Sequence, residues 1–388
     1  MMAGDGSSHQ LSSFRALEFY SGIGGFRLAL SHSCAGHATD IVAAFDWDQI
    51  ACQVYAANFG PSAVHKMDIS TLMAAQLSQF NARLWLLSPS CQPYTVLNPS
   101  AKGAADPRAQ SFLHLINTAL PQLTAQQAHP RYILMENVAG FQDSSTRHHL
   151  TATLANLGYV TAEFLLNPLQ FGIPNSRLRY YLLAKVSPLK FAALDTGQST
   201  GILDHIPETL ARTPESRLLD VSSPTPTRLH SIREYLEKMD DETFAHYKVP
   251  DRVLQKWGRL FDIVLPSSTR SCCFTRGYTR LVERAGSILQ MNEDLDTTEV
   301  FDEFLEAQSG GNDEAVRKLD CLRLRYFTPT ELLGMFYFVD RFGAKDSFDF
   351  VWPPAISQRT KYRLIGNSVN VEVVRRLINY LLTEGPGC

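Results

Sequence analysis

The chain has 388 residues, 45% of them hydrophobic and 19% charged, which is enough apolar material for one large domain or two and excludes a disordered protein. Thirty-six basic against 39 acidic residues leave a formal charge of -3, so a nucleic-acid partner would have to be held by a local basic surface and not by overall charge. No apolar run approaches the ~20 residues of a membrane span, and residues 1–13 are polar and small, so we expect a soluble, cytoplasmic or nuclear protein with a disordered N-terminus.

In chain order, apolar or β-branched runs predict strands at 15–20, 40–45, 63–67, 83–88, 131–136, 160–167 and 179–186. Helical patterns fall between them at 24–31, 49–59, 71–80, 111–126 and 146–157. That alternation predicts an α/β fold: a doubly wound, mostly parallel sheet with functional groups at the carboxyl ends of its strands. From about Ser187 repeated prolines break the pattern, and residues 191–320 read as a small, irregular, mixed domain whose acidic stretch Glu293–Glu306 is a solvated helix face. Helical periodicity returns at 328–335 and 369–382, so residues 321–388 are expected to rejoin the first domain, 14–190. The 7 cysteines are odd in number, with no C-x-x-C pair and no histidine at ligand spacing, which predicts reduced thiols and no metal site.

The predicted strand ends carry chemistry. Tyr20, Ser21, Gly22, Ile23, Gly24 and Gly25 join the first strand to a helix, and such glycines let backbone approach a ligand closely beside free helix N–H groups. Alone, this is equally a plain tight turn. The second strand, however, ends in Asp46-Trp47, an acid placed to accept from ribose hydroxyls beside an indole suited to a purine face, and the third ends in Met67-Asp68, where Asp68 suits an adenine amino group. Together they read as a site for an adenosine-containing cofactor. Because the turn lacks a full phosphate cradle, S-adenosylmethionine fits better than a dinucleotide.

The fourth strand runs into Ser88-Pro89-Ser90-Cys91-Gln92-Pro93, where two prolines stiffen a loop that presents a cysteine. A lone cysteine is most often an inert buried hydrophobe. Here the next strand end supplies Glu136-Asn137, and the last strand opens with Arg177-Leu178-Arg179, whose two arginines are expected on one face, orienting the carboxylate and a phosphate.

In this order the segments resemble the cytosine-C5 methyltransferase family: the aromatic-x-Gly-x-Gly turn, the Pro-Cys-Gln loop, Glu136-Asn137-Val138, the Arg-x-Arg strand and, near the C-terminus, Gly366-Asn367-Ser368-Val369. The resemblance implies a class I S-adenosylmethionine-dependent fold, a Rossmann-like mixed seven-stranded sheet plus a small target-recognition domain. It makes Cys91 the nucleophile that adds to cytosine C6, with Glu136 on the ring and Arg177 and Arg179 holding both. Tyr20 through Gly25, Asp46, Trp47, Asp68, Ile69, Ser88, Asn367, Ser368 and Val369 would bind the cofactor, leaving S-adenosylhomocysteine. Two positions depart from the family pattern: Tyr20 stands where phenylalanine is usual, and Ser90 where the loop usually has a second proline. A looser loop costs rate, since ~1 Å of misplacement is worth on the order of 100-fold.

Ser271-Cys272-Cys273-Phe274-Thr275-Arg276-Gly277-Tyr278 resembles the signature of the branch that methylates cytosine 38 in the anticodon loop of aspartate tRNA. On that resemblance Phe274 would stack on a base beside Thr275, with Arg270, Arg276 and Arg280 on phosphates. A folded RNA whose loop already exposes its cytosine suits a small target domain, so tRNA is expected, bound by a monomer. Duplex DNA as substrate, and a catalytically silent binder, stay open at this point.

Overall fold

In the computed structural model, which describes residues 14–36, 38–94, 103–192, 201–207, 228–342 and 348–383, all seven expected strands form and share one sheet. The expected disordered N-terminus, 1–13, lies outside the described residues. The strands are β1 (Phe14–Phe19), β2 (Thr39–Asp46), β3 (Val64–Lys66), β4 (Ala82–Leu87), β5 (Tyr132–Val138), β6 (Tyr159–Leu166) and β7 (Arg179–Val186), in the order β3-β2-β1-β4-β5-β7-β6. Neighbours are parallel except β7, which runs antiparallel to β5 and β6. The mixed seven-stranded sheet implied by the resemblance is therefore present.

Alternation along each strand splits the interior into two layers. Leu84 and Leu86 of β4 face one, and Trp85 and Leu87 face the other. The first layer is covered by α1 (Gly25–Ser31), α2 (Gln49–Phe59) and α12 (Val371–Leu382), the second by α3 (Ala74–Gln79), α4 (Gln110–His114), α5 (Leu120–Ala125) and α6 (Ser145–Asn156). The single helix expected over 111–126 is interrupted, because α4 passes through a π turn at Leu115–Ala119 before α5. Pro121, which has no N–H to give the preceding turn, accounts for the wider register.

The middle region is more regular than its sequence suggests. It holds α7 (Asp241–Tyr247), α8 (Asp251–Trp257), α9 (Thr297–Ser309), β8 (Ile263–Val264) and β9 (Ile288–Gln290), and its three-stranded sheet is completed by β10 (Leu324–Arg325), which pairs with β9 although the sequence assigned residues from 321 onward to the return. The acidic stretch becomes α9, which buries Phe301 and Phe304 and turns Glu299, Asp302, Glu303 and Glu306 to solvent. Beyond β10, α10 (Pro329–Met335) starts at a capping box in which Thr328 and Glu331 satisfy each other's backbone N–H. Helix α11 (Gln358–Gly366), which the sequence pattern does not announce, follows and leads into α12.

One buried carboxylate lies under the first Gly-rich turn. Glu18, on β1, is fully buried and accepts the Tyr55 hydroxyl at 2.8 Å. Burial raises its pKa to about 8, against smaller pulls from the Tyr55 bond and Arg27. The folded state thus binds a proton more tightly than the unfolded chain, so this stabilisation is full below the ordinary carboxylate range and is lost as pH climbs towards 8. Glu18→Gln should remove that dependence: between about pH 5 and 8, wild-type melting temperature is expected to fall relative to the variant. Parallel melting curves across the range would contradict it.

Candidate active site

The carboxyl ends of β1, β2, β4 and β5 open on a cleft of about 540 Å³. Its wall holds Tyr20, Gly22, Asp46, Trp47, Asp68, Ile69 and Ser88 from the expected cofactor set, together with Cys91, Glu136, Arg177 and Arg179. Asn367 and Ser368 reach it from the C-terminal segment, and Arg276 from the middle region. Ser21, Ile23, Gly24, Gly25 and Val369 stand behind this wall. Ile23 and Val369 are buried in the core, and Gly25 leaves no room for a side chain because a Cβ would lie 2.7 Å from Val369. The C-terminal segment therefore does pack back on the Gly-rich turn.

In the turn, Gly22 adopts φ +55°, and a Cβ there would meet nothing within 4 Å. Its backbone borders open cleft, space that a ligand can fill. Its N–H donates to Asp46 Oδ2 at 2.7 Å, and Asp48 N–H donates to Asp46 Oδ1 at 2.7 Å. Asp46 thus ties the turn to the end of β2, and burial raises its pKa against these bonds. Asp48 caps α2 and pairs with Arg363 of α11. Trp47 leaves 71% of its surface exposed at the cleft edge. Asp68 Oδ1 accepts from the N–H and hydroxyl of Ser70, so this acid also caps its own turn.

In the other half, Glu136 Oε1 lies 3.4 Å from Arg179 Nε. Burial raises the Glu136 pKa, and Arg179 and Arg177 pull the other way, which favours a carboxyl that can still carry a proton. Burial and then Glu136 push the Cys91 thiol up, while Arg179, Arg177 and Arg276 oppose them. A second thiol, passed over in the sequence, faces the same arginines: Cys273 Sγ lies 3.5 Å from Arg177 Nη1 and 3.7 Å from Arg179 Nη2. Burial opposes its ionisation, yet the two guanidiniums prevail and hold its pKa below the ordinary value. Arg108 was also missed; it reaches the cleft from a turn where buried Asp106 grips its guanidinium.

Two sequence expectations are corrected. Arg177 and Arg179 do not share a strand face: β7 begins at Arg179, and Arg177 precedes it. Instead of reaching a phosphate, the Arg177 guanidinium donates to the carbonyls of Phe274 (3.1 Å), Gly366 (3.1 Å) and Ser368 (2.7 Å). Phe274 is 1% exposed and packs edge-on against Tyr278 and Phe327, so it holds the core and cannot stack on a base. Of the other expected RNA contacts, Arg276 and Arg280 are exposed, Arg270 lies 3.9 Å from Asp262, and Thr275 donates its N–H to Ala285.

Segments far apart in sequence converge at this point. Asn175 donates to the Cys272 carbonyl at 2.9 Å and Ser176 N–H to the Ser271 carbonyl at 2.9 Å, so the Asn-Ser-Arg segment is zipped to the Cys-Phe-Thr segment. Gly366 passes so close beneath Thr275 and Arg276 that a Cβ would lie 2.3 Å from the Thr275 carbonyl carbon. The signatures read separately in the sequence form one junction beside the cleft.

The C-5 cytosine-specific DNA methylase family matches residues 14–383. The chain belongs to this family. It is 39% identical over 370 residues to a tRNA (cytosine(38)-C(5))-methyltransferase of Schizosaccharomyces pombe, covering 95% of this chain and 96% of that one. To the human protein of the same name it is 34% identical over 410 residues, covering 95% and 98%. A Dictyostelium discoideum relative named DNA (cytosine-5)-methyltransferase is also 34% identical, over 402 residues, covering 96% and 95%. Among solved structures, the S. pombe Dnmt2 methyltransferase superposes with a TM-score of 0.70 at 37% identity, covering 95% and 98% of the two chains.

The charges around Cys91 lead to a measurable expectation. Glu136→Gln removes the negative neighbour that raises the thiol, so mass-spectrometric labelling of Cys91 by iodoacetamide should reach half-maximum at lower pH than in wild type. An unchanged midpoint would show that Glu136 does not act on the thiol.

Proposed function

We propose that this protein transfers a methyl group from S-adenosylmethionine to C5 of cytosine 38 in a tRNA, with aspartate tRNA the first substrate to test. The observation that carries the reading is the joining, in one cleft, of Cys91, Glu136 and Arg179 with the Gly22 and Asp46 turn. The open backbone face of Gly22 suits the cofactor, as do the exposed indole of Trp47 and the carboxylates of Asp46 and Asp68. When bound, S-adenosylmethionine supplies an electrophilic sulfonium methyl.

The residues then divide the work. Cys91, as thiolate, forms a sulfur–carbon bond to cytosine C6, which makes C5 a carbon nucleophile. Protonated Glu136 donates to N3 and offsets the negative charge that develops in the ring. Arg179 keeps that carboxyl in place and, with Arg177 and Arg276, favours the thiolate that the buried site otherwise resists. After C5 is methylated, a base removes the C5 proton, the electron pair re-forms the C5–C6 double bond and the C6–sulfur bond breaks, returning Cys91. The cytosine has to be out of its stack to enter, which a tRNA loop provides at lower cost than a duplex.

tRNA is favoured over DNA by the names of the S. pombe and human relatives, each matched over 95% of this chain. DNA is the second reading, favoured by the name of the D. discoideum relative. Incubation with S-adenosylmethionine and either tRNA or duplex DNA, followed by bisulfite sequencing, should mark position 38 of tRNA. Labelling confined to DNA would refute the proposal. Cys91→Ala should lower methylation by at least about 1,000-fold while leaving S-adenosylhomocysteine affinity within about twofold by calorimetry, because the thiol acts only on the base.

A further inference from the structure

Two residues that flank Cys91 in the chain, Ser88 and Ser111, bond to a single residue of the Gly-rich turn. At the start, Ser88 Oγ donates to the Tyr20 carbonyl at 3.0 Å. At the return, on α4, Ser111 Oγ lies 3.0 Å from the Tyr20 hydroxyl. Tyr20 and Ser111 both line the cleft, so the second bond ties the turn to α4 at the cleft wall. The backbone of Tyr20 sits at φ +59°, a left-handed conformation that bulky residues rarely adopt. The strain points to a local constraint. Burial raises the phenol pKa, so the hydroxyl stays neutral and able to bond Ser111 throughout the working range.

We propose that the Tyr20 hydroxyl is a positioning group: by holding Ser111 while its carbonyl holds Ser88, Tyr20 sets α4 and the Ser88–Tyr94 loop, which presents Cys91, in register with the turn that binds the cofactor. Within that segment Ser90 immediately precedes Cys91, and serine has no ring to restrict its backbone. A hydrogen-bonded bracket supplies from outside the rigidity that this position lacks. Phenylalanine carries the same ring and the same backbone cost at φ +59° and lacks only the hydroxyl, so Tyr20→Phe removes the Ser111 bond and little else.

The proposal rests on Cys91 being the nucleophile of the methyl transfer proposed above, and the test keeps the two apart. Wild type, Tyr20→Phe, Ser111→Ala and the double variant are compared by single-turnover methylation of tRNA, by S-adenosylhomocysteine calorimetry, and by iodoacetamide labelling of Cys91 read by mass spectrometry. Each single variant is expected to slow methyl transfer about 3- to 10-fold, the worth of one hydrogen bond, with cofactor affinity within about twofold. The double variant should be no slower than the slower single one, because both remove the same bond. Cys91 labelling should quicken in all three. Wild-type rates in the single variants, multiplied losses in the double, a loss that follows cofactor affinity, or labelling indifferent to Tyr20 would each overturn the proposal. A wild-type protein that transfers no methyl group but whose Cys91 labelling depends on Tyr20 would refute the methyltransferase reading and support the bracket.

Discussion

The architecture around the cleft depends on one buried guanidinium. A buried charge is costly unless its N–H groups find acceptors, and Arg177 finds them in the carbonyls of Phe274, Gly366 and Ser368. Gly366 closes α11, so its carbonyl is among those a helix end leaves without an intrahelical partner, at the negative end of the helix dipole. Arg177 therefore supplies what the helix end lacks while the helix end supplies what a buried cation needs. The face of Phe336, 5.0 Å away, adds a cation–π contact. In this way the entry to β7, the middle region and the C-terminal return meet at one group.

That junction also shapes the chemistry. Two arginines adjoin two thiols and one carboxylate, and burial decides how they share charge. Cys91 and Glu136 are both pushed towards their neutral forms, whereas Cys273, in direct contact with both guanidiniums, is drawn towards its anion. The Cys273 sulfur, drawn towards its anion, offsets part of the repulsion between the two neighbouring cations. Arg179 can then stay beside Glu136, and Arg177 can stay in its ring of carbonyls. The site thus combines a carboxyl whose proton burial favours with a thiol whose anion the arginines favour against burial, and base methylation by addition and elimination uses both groups.

The small excess of negative charge also gains a location. Part of it lies on the exposed face of α9, where Glu299 and Glu306 stand beside Asp302 and Glu303, the latter two being offset by Arg259 and Lys318. Arg276 and Arg280, exposed on the segment that crosses Gly366, take part in no ion pair among the described residues. A chain of balanced composition can therefore present positive charge beside the cleft, where electrostatic attraction to a phosphate backbone acts locally and weakens with salt.

By itself the sequence determined the sheet, the order of its strand ends and most of the cleft wall. Apolar alternation is written locally, and residues such as Gly22, Asp46, Cys91 and Glu136 stand at strand ends, where a parallel sheet gathers them. It did not determine what those side chains face. Phe274 reads as a base-stacking ring but is spent on the core, and Arg177, two residues from Arg179, answers to carbonyls from distant segments instead of to a phosphate. Ser111 and Arg108 carried no motif of their own, and Cys273 stood inside a signature that does not show which groups its thiol meets. Only tertiary structure decided their partners, because a hydrogen bond or an ion pair between residues 91 or 189 positions apart depends on how the chain closes on itself, which no local pattern records.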